Sequence, residues 1–340
     1  MPMALDDRYS RQVLFAPLGA EGQAKLAQGH VAIVGCGATG SAFAGLLARA
    51  GVGTLSIIDR DYVEPSNLQR QSLFDENDAC ESIPKALAAA RQIARFNSQI
   101  AVHPHVADLT PANIEQVLAA NDLMLDGTDN FETRYLLNDY AVKNSIPWIY
   151  AAAVGSYAVT MNILPGETAC LACVFPESPR GALETCDTAG ILNSAVNLVA
   201  SIAATEALKF LAGARPQMRR TLLSWDVWSN ERSEITTASP KPGCRACAKK
   251  DFIHLAGERR PHITLCGRNS VQIHERSRPV DFGEMEERLL PHGQVRYNEF
   301  VLKFRREPYE MTLFPDGRAI IKGTTDTAVA RSLYARFVGS

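Results

Sequence analysis

The sequence predicts an α/β protein built on a doubly wound, mostly parallel sheet, and three observations carry that expectation. An apolar run, Val31 to Val34, breaks into Gly35-Cys36-Gly37-Ala38-Thr39-Gly40 and continues as an Ala/Leu-rich helical pattern to Ala50. A second apolar run, Leu55 to Ile58, then ends on Asp59. Strand, glycine turn, helix, strand and acid in that order make a dinucleotide-type, Rossmann-like βαβ unit. The alternation of strand and helix then continues as far as Ala153, as helix-covered parallel sheets require. Beyond Gly155 it gives way to period-two alternation, which predicts an antiparallel extension.

Taken in order, residues 5 to 29 read as helical, with Arg8 and Arg11 near the start. Ser82-Ile83-Pro84-Lys85 leads into an Ala-rich helix through Arg95, and Pro84 suits a first helical turn. Ala101 to Val106 reads as a strand, and Thr110 to Ala120 as a helix. Leu123 to Leu125 is a short buried strand that runs into Asp126-Gly127-Thr128-Asp129-Asn130, before a helix through Arg134 to Asn144. Trp148 to Ala153 and Tyr157 to Leu164 follow as strands, and Cys170-Leu171-Ala172-Cys173 is placed in a loop. The polar segment Pro176 to Thr188, which contains Cys186, is expected to be exposed and mobile. Ile191 to Leu211 is a long helix of small residues, and Leu222 to Val227 a strand. Cys244-Arg245-Ala246-Cys247 closes a first domain over residues 1–250, and a polar linker leads to a small α+β domain over residues 262–340. That domain reads as a strand (Ile263–Ile273), a helix (Asp281–Leu290), strands within Val295–Lys322 and a helix (Asp326–Val338). Phe314-Pro315-Asp316-Gly317-Arg318 has the residues of a hairpin turn.

Composition narrows the function classes. With 46% hydrophobic and 21% charged residues, the chain belongs with ordinary globular proteins. A formal charge of −2 speaks against a general nucleic-acid or membrane-surface binder. No cationic apolar leader opens the sequence, and the most apolar segment, Gly190 to Gly213, carries Asn193, Asn197, Glu206 and Lys209. A cytoplasmic location is therefore expected, and the eight cysteines are better read as metal ligands or catalytic thiols than as a disulfide framework.

Several residues carry chemistry. Gly35, Gly37 and Gly40 let a phosphate approach the backbone at a helix N-terminus, and Asp59 can accept hydrogen bonds from a ribose. Arg11, Arg70 and Lys85 could meet triphosphate oxygens, and Asp129 could hold Mg²⁺ through its carboxylate. Each cation alone is more simply a solvated surface charge; alongside the glycine turn they make a phosphate pocket the better reading. The pairs Cys170/Cys173 and Cys244/Cys247 each fit one edge of a tetrahedral, structural zinc site that would staple two distant segments. Cys186 stands alone before the long helix, and a reactive thiol and an inert loop cysteine are equally open readings. Cys36 reads as packing, while Cys80, Cys266 and the histidines show no ligand spacing.

Together these stretches resemble the ThiF/MoeB/HesA family, bacterial relatives of ubiquitin-activating enzymes and here most like ThiF. Arg8-Tyr9-Ser10-Arg11-Gln12, the glycine turn, Asp59 with Asp61, and Ser66-Asn67-Leu68-Gln69-Arg70-Gln71 carry the match. Pro84-Lys85-Ala86, Thr128-Asp129-Asn130 with Arg134, both cysteine pairs and Thr185-Cys186 before Ala189-Gly190 extend it over residues 8 to 248. The resemblance implies an adenylyltransferase that binds ATP and Mg²⁺ and activates the Gly-Gly carboxylate of a ubiquitin-like sulfur carrier protein. It implies that Asp59 holds the ribose, that Asn67, Arg70 and Lys85 bind phosphates, and that Asp61 and Asn130 line the nucleotide site. It also implies that Asp129 holds Mg²⁺, that Zn²⁺ sits on the four cysteines, and that Arg11 reaches the ATP of the partner in a homodimer. A cysteine matching Cys186 can link covalently to the carrier in ThiF-type members. The chain departs from the family at Glu81-Ser82-Ile83, where a glycine usually stands before Pro-Lys, and at Ile191-Leu192-Asn193, where Gly-Pro is common. No rhodanese domain follows, so a separate protein must donate sulfur.

The resulting expectation is adenylylation of a ThiS-like carrier for thiamine thiazole synthesis. The same reaction on a MoaD-like carrier for molybdenum cofactor synthesis is the alternative. An NAD-dependent oxidoreductase is a remote one, opposed by the phosphate-binding cations and the cysteine staple.

Overall fold

The computed structural model describes residues 8–177, 189–257, 263–266, 270–273 and 279–339. Cys186 lies outside the described residues. The chain divides into two compact units, Met1–Glu258 and Arg259–Ser340.

Among the described residues of the first unit, eight strands form one sheet in the order β3-β2-β1-β4-β5-β6-β7-β8. They are β1 (His30–Val34), β2 (Thr54–Ile58), β3 (Ala101–His105), β4 (Leu123–Asp126), β5 (Trp148–Val154), β6 (Tyr157–Ile163), β7 (Thr221–Asp226) and β8 (Glu231–Thr236). Val31 of β1 pairs in parallel with Leu55 on one side and Leu123 on the other. Strand order therefore reverses between β1 and β4, and a ligand crevice opens beyond the carboxyl ends of strands at such a reversal. Val31, Ala32 and Ile33 are fully buried, which is why β1 reads as continuous apolar sequence. From β5 onward the pairing is antiparallel, with Val154 opposite Tyr157 across a tight hairpin.

The longer helices are α1 (Gly19–Gln28), α2 (Ala38–Ala50), α3 (Lys85–Phe96), α4 (Phe131–Asn144) and α5 (Asn193–Leu211). Leu136, Leu137, Tyr140 and Ala141 of α4 share one core with Ala32, Met124, Trp148 and Met161 of the sheet. Helix α5 packs against α2 and against β5 and β6. It is long and apolar enough to cross a membrane, yet it buries a stripe of small residues that includes Ala195, Ala200, Ala203 and Ala207. Glu206 on the same stripe is only 3% exposed. Its carboxylate accepts hydrogen bonds from Asn162 Nδ2 of β6 (2.6 Å), Arg219 N (2.8 Å) and Lys209 Nζ (2.7 Å).

In the second unit a described sheet runs β11-β12-β13-β14-β10-β9. Its strands are β9 (Ile263–Cys266), β10 (Ser270–Ile273), β11 (Gln294–Tyr297), β12 (Leu302–Arg306), β13 (Tyr309–Leu313) and β14 (Ala319–Lys322), all paired antiparallel. Helices α6 (Phe282–Leu289) and α7 (Thr327–Phe337) pack Met285, Leu289, Tyr334 and Phe337 onto Val271, Phe304, Leu313 and Ile321. Asp281 and Asp326 cap them by accepting from the N–H groups of Gly283 and Glu284, and of Ala328 and Val329. The expected turn joins β13 to β14, with Gly317 at φ +83.

Several expectations are corrected. The helix expected over residues 5–29 is broken among the described residues into a short turn, Ser10–Val13, and α1. Pro17 lacks a backbone N–H, and Gly19 takes φ +61 at the break. The helix expected over Thr110–Ala120 shrinks to Ile114–Val117. There the Asn113 side chain accepts from Thr110 N (2.7 Å) and donates to Asp108 O (2.8 Å), competing with helical bonding. Strand β8 went unread because its residues are all exposed and carry no apolar alternation. The single strand expected over Ile263–Ile273 is a hairpin pairing Cys266 with Ser270. The loop expected at Cys170-Leu171-Ala172-Cys173 is instead a short helical turn, Leu171–Val174, with Cys170 at its N-cap position.

Glu206 ties α5 to β6 from inside the core, so Glu206→Ala should lower unfolding stability by about 3 kcal/mol, since it strands buried donors. Urea denaturation reads this; a loss under about 1 kcal/mol would show that Glu206 is no anchor.

Candidate active site

The crevice at the strand reversal is built from backbone in close contact. Gly35 leaves β1 at φ +84, where a Cβ would lie 2.7 Å from Gly127 O at the end of β4. A Cβ on Gly40 would lie 1.8 Å from Gly35 O, so only glycine lets α2 start this close to the strand. Gly37 stands as N-cap of α2 without any side-chain cap, which leaves N–H groups of the first helical turn directed at the crevice.

Around this turn the structure assembles Asp59, Asp61, Lys85 and Asp129. Asp59 ends β2, is 8% exposed, and accepts from Cys36 N (2.6 Å) and Asp61 N (2.7 Å). Burial, with the Asp61 charge beside it, holds its carboxyl above the ordinary range, and the Lys85 ammonium and the two N–H donors only partly offset this. Lys85 opens α3 and places Nζ 3.5 Å from Asp61 Oδ2. Burial by itself would lower this ammonium, but Asp59, Asp61 and Asp129 outweigh it and hold Lys85 above the ordinary lysine value. The lysine is therefore a fixed positive charge, not a base. Burial drives the Cys36 thiol far up, consistent with a packing role. Three residues before Lys85, Ser82 adopts φ +52, a left-handed backbone that favours glycine.

Other expected residues stand nearby in different roles. Asn67 is buried and caps a tight turn, accepting from Glu64 N (3.0 Å). On the same segment, Arg70 Nη1 donates to Ser66 O (2.8 Å). Asn130 caps α4 through Thr133 N (2.9 Å), leaving Asp129 exposed just before it. Arg11 is exposed on the Ser10–Val13 turn, without a hydrogen bond or ion pair among the described residues.

Sequence reasoning missed what holds Asp129. Asp126 is fully buried at the end of β4. It pairs with Arg134 Nε (3.0 Å) and accepts from Thr128 N (2.9 Å) and Oγ1 (2.6 Å). Arg134 also donates to Thr128 O (2.5 Å) and lies over the rings of Phe131 and Tyr150. Burial raises the Asp126 carboxyl above the ordinary range, and the Arg134 charge only partly offsets it. The signal available was an acid inside an otherwise apolar run, Leu123 to Asp126.

The four cysteines do come together. Their Sγ atoms all lie within 4.8 Å of one another, with separations of 3.8 Å for Cys170–Cys173, 3.7 Å for Cys170–Cys244 and 3.4 Å for Cys173–Cys247. Hydrogen bonding with Cys170 draws the Cys173 thiol down to about 4. Two adjacent residues of α4, both missed from sequence, hold the cysteine segments. Asn138 accepts from Leu171 N (2.8 Å). Asp139, fully buried, takes Arg245 Nη2 (3.0 Å) and Nη1 (3.3 Å), together with His254 N (3.1 Å).

Comparison with known proteins follows the same lines. The ThiF family pattern matches residues 9–246. The "Sulfur carrier protein ThiS adenylyltransferase" of Bacillus subtilis is 45% identical over 336 residues, covering 98% of this chain and 99% of that one. The "Sulfur carrier protein adenylyltransferase" of Thermus thermophilus is 36% identical over 247 residues, covering 71% of this chain and 90% of that one. Among solved structures, E. coli MccB with ATP superposes with a TM-score of 0.62 at 24% identity, over 71% of this chain and 74% of that one. That likeness concerns the fold.

Arg134→Met keeps the bulk and removes the charge, leaving Asp126 buried without its partner. The variant should lose about 3–5 kcal/mol near pH 8. Asp126 would then have a folded pKa raised further above its unfolded value, so stability falls as pH rises through the window between them. The deficit should shrink toward pH 5. Parallel urea curves at both pH values check this, and a deficit that grows on acidification would contradict it.

Proposed function

As the chain belongs to the ThiF family, we propose that it adenylylates the C-terminal Gly-Gly carboxylate of a ThiS-like sulfur carrier protein, using ATP, in thiamine thiazole synthesis. Near full-length similarity to the Bacillus subtilis enzyme supports the carrier assignment. The observation that carries the chemistry is the convergence of Asp59, Asp61, Lys85 and Asp129 on an uncapped helix N-terminus. In this reading the carrier carboxylate attacks the α-phosphate, pyrophosphate leaves, and an acyl-adenylate remains for sulfur transfer. No general base is needed, because the nucleophile is already a carboxylate. Catalysis rests on alignment and charge neutralisation.

Each residue then has a task. Asp59 accepts from the ribose; Lys85, Arg70 and Asn67 contact phosphates, with Asp61 and Asn130 beside them. The bonds these two already make leave donors for that task, since Asn67 accepts from Glu64 N through Oδ1 and Arg70 donates to Ser66 O through Nη1 alone. Three carboxylates around one ammonium give the crevice an acidic balance that opposes a bare triphosphate. A hard divalent cation resolves that conflict, and the exposed Asp129 carboxylate suits Mg²⁺. Bound there, Mg²⁺ would neutralise phosphate charge. Arg11 reaches the nucleotide of the partner subunit in a homodimer, Cys186 is the residue proposed for a covalent link to the carrier, and a separate protein donates sulfur. A cytoplasmic location is part of the same proposal.

For the cysteines, a tetrahedral Zn²⁺ with bonds of about 2.3 Å needs sulfur separations of about 3.8 Å. The separations of 3.4, 3.7 and 3.8 Å fit, and all four sulfurs lie within 4.8 Å of one another. The site is closed on all sides by sulfur, so zinc there would staple, not react.

ATP–pyrophosphate exchange with purified carriers tests the reading. Exchange with a ThiS-like carrier is expected; exchange only with a MoaD-like carrier would move the pathway to molybdenum cofactor synthesis, and none with either would sink adenylylation. Asp129→Ala and Arg70→Ala should each lower exchange by about 10²-fold or more with unchanged far-UV circular dichroism. Elemental analysis should find about one zinc per chain; a stable, zinc-free protein would contradict the staple.

A further inference from the structure

The second unit has its own opening. Phe304 and Arg306 of β12, Tyr309 and Met311 of β13, Ile321 of β14 and Leu333, Arg336 and Phe337 of α7 line a cavity of about 130 Å³, with Glu307 at its edge. Phe304, Met311, Ile321 and Phe337 are buried and make an apolar wall. A cavity of this volume holds one compact apolar group; an apolar cavity of about 150 Å³ accommodates benzene.

The charges around it are unusual. Arg306 and Arg336 both approach the Phe337 ring, at 5.7 Å and 5.3 Å from its centre. Both are exposed, and neither has an ion pair or hydrogen bond among the described residues. Glu307 also lines the cavity and its carboxylate lies 2.6 Å from Arg305, so one carboxylate stands against three guanidinium groups there. Two like charges held over one ring repel each other, and each ring contact repays only about 0.5–1 kcal/mol at an exposed site. Two free guanidinium forks at the mouth of an apolar cavity are complementary to a molecule with an anionic head and a small apolar body.

We propose that the second unit binds a small organic carboxylate, its apolar body in this cavity and its carboxylate between Arg306 and Arg336. The apolar end of the ligand meets Phe304, Met311 and Leu333, while its charged end stays at the mouth, where desolvation is least costly. The site is independent of the adenylylation reading, since every residue lining it belongs to the second unit.

Calorimetric titration of the full chain with phenylacetate and with 3-methylbutanoate tests it. At least one should bind with a Kd below about 1 mM. Benzyl alcohol, which lacks the charge, and acetate, which lacks the body, should bind at least tenfold more weakly. The double variant Arg306→Gln/Arg336→Gln should lose tenfold or more in affinity, and Leu333→Trp, which fills the cavity, should lose binding, both with an unchanged melting profile. Absence of saturable binding by either anion would overturn the proposal. So would binding that the arginine variant leaves intact, since that would place the anion elsewhere on the protein.

Discussion

Contact between the ends of β1 and β4 is the constraint on which the crevice depends. Gly35, Gly40 and Gly127 meet so closely that a Cβ on any of them would fall within 2.7 Å of a carbonyl oxygen across the gap. That approach lets α2 begin immediately beyond β1, so its free N–H groups face the crevice and Asp59 can bond Cys36 N from the neighbouring strand. Asp61, Lys85 and Asp129 are then brought in from three separate segments. A methyl group at this junction would move the strand ends apart, and with them every charge that the crevice collects.

Two separate parts of the first unit are held by polar side chains along α4 and just before it. At its start, Asp126 and Arg134 hold the Thr128 turn that presents Asp129. In its middle, Asn138 and Asp139 hold the two cysteine segments, which lie about seventy residues apart in sequence. One helix thus braces the nucleotide crevice with its first turn and the cysteine cluster with the next. Burying such charges is costly unless each is fully partnered, and each of these carboxylates has several donors. The second unit follows the opposite rule at its cavity mouth, where two guanidinium groups stand exposed and, among the described residues, unpaired.

Local pattern made the parallel half of the main sheet legible. Buried parallel strands such as Val31–Val34 are continuous in apolar residues, and the glycine turn with Asp59 marks a βαβ unit without any long-range knowledge. Edge strand β8 left no trace because an exposed edge needs no apolar alternation, and the Thr110–Ala120 helix failed because Asn113 offered the backbone other partners. Spacing alone flagged the four cysteines.

By itself, then, the sequence determined the βαβ core, the glycine turn, the acids and cations near it and the paired cysteines, because each is written in short-range periodicity or spacing. Only the tertiary structure decided which of those charges meet. Lys85 lies among Asp59, Asp61 and Asp129, whereas Arg70 and Asn67 are turned to local backbone partners. It alone revealed Asp126, Arg134, Asn138 and Asp139 as supports, since a buried polar residue acquires its meaning from partners that no linear spacing predicts. The cavity of the second unit belongs to the same class: Arg306 and Arg336 share one ring only because β12 and α7 pack together.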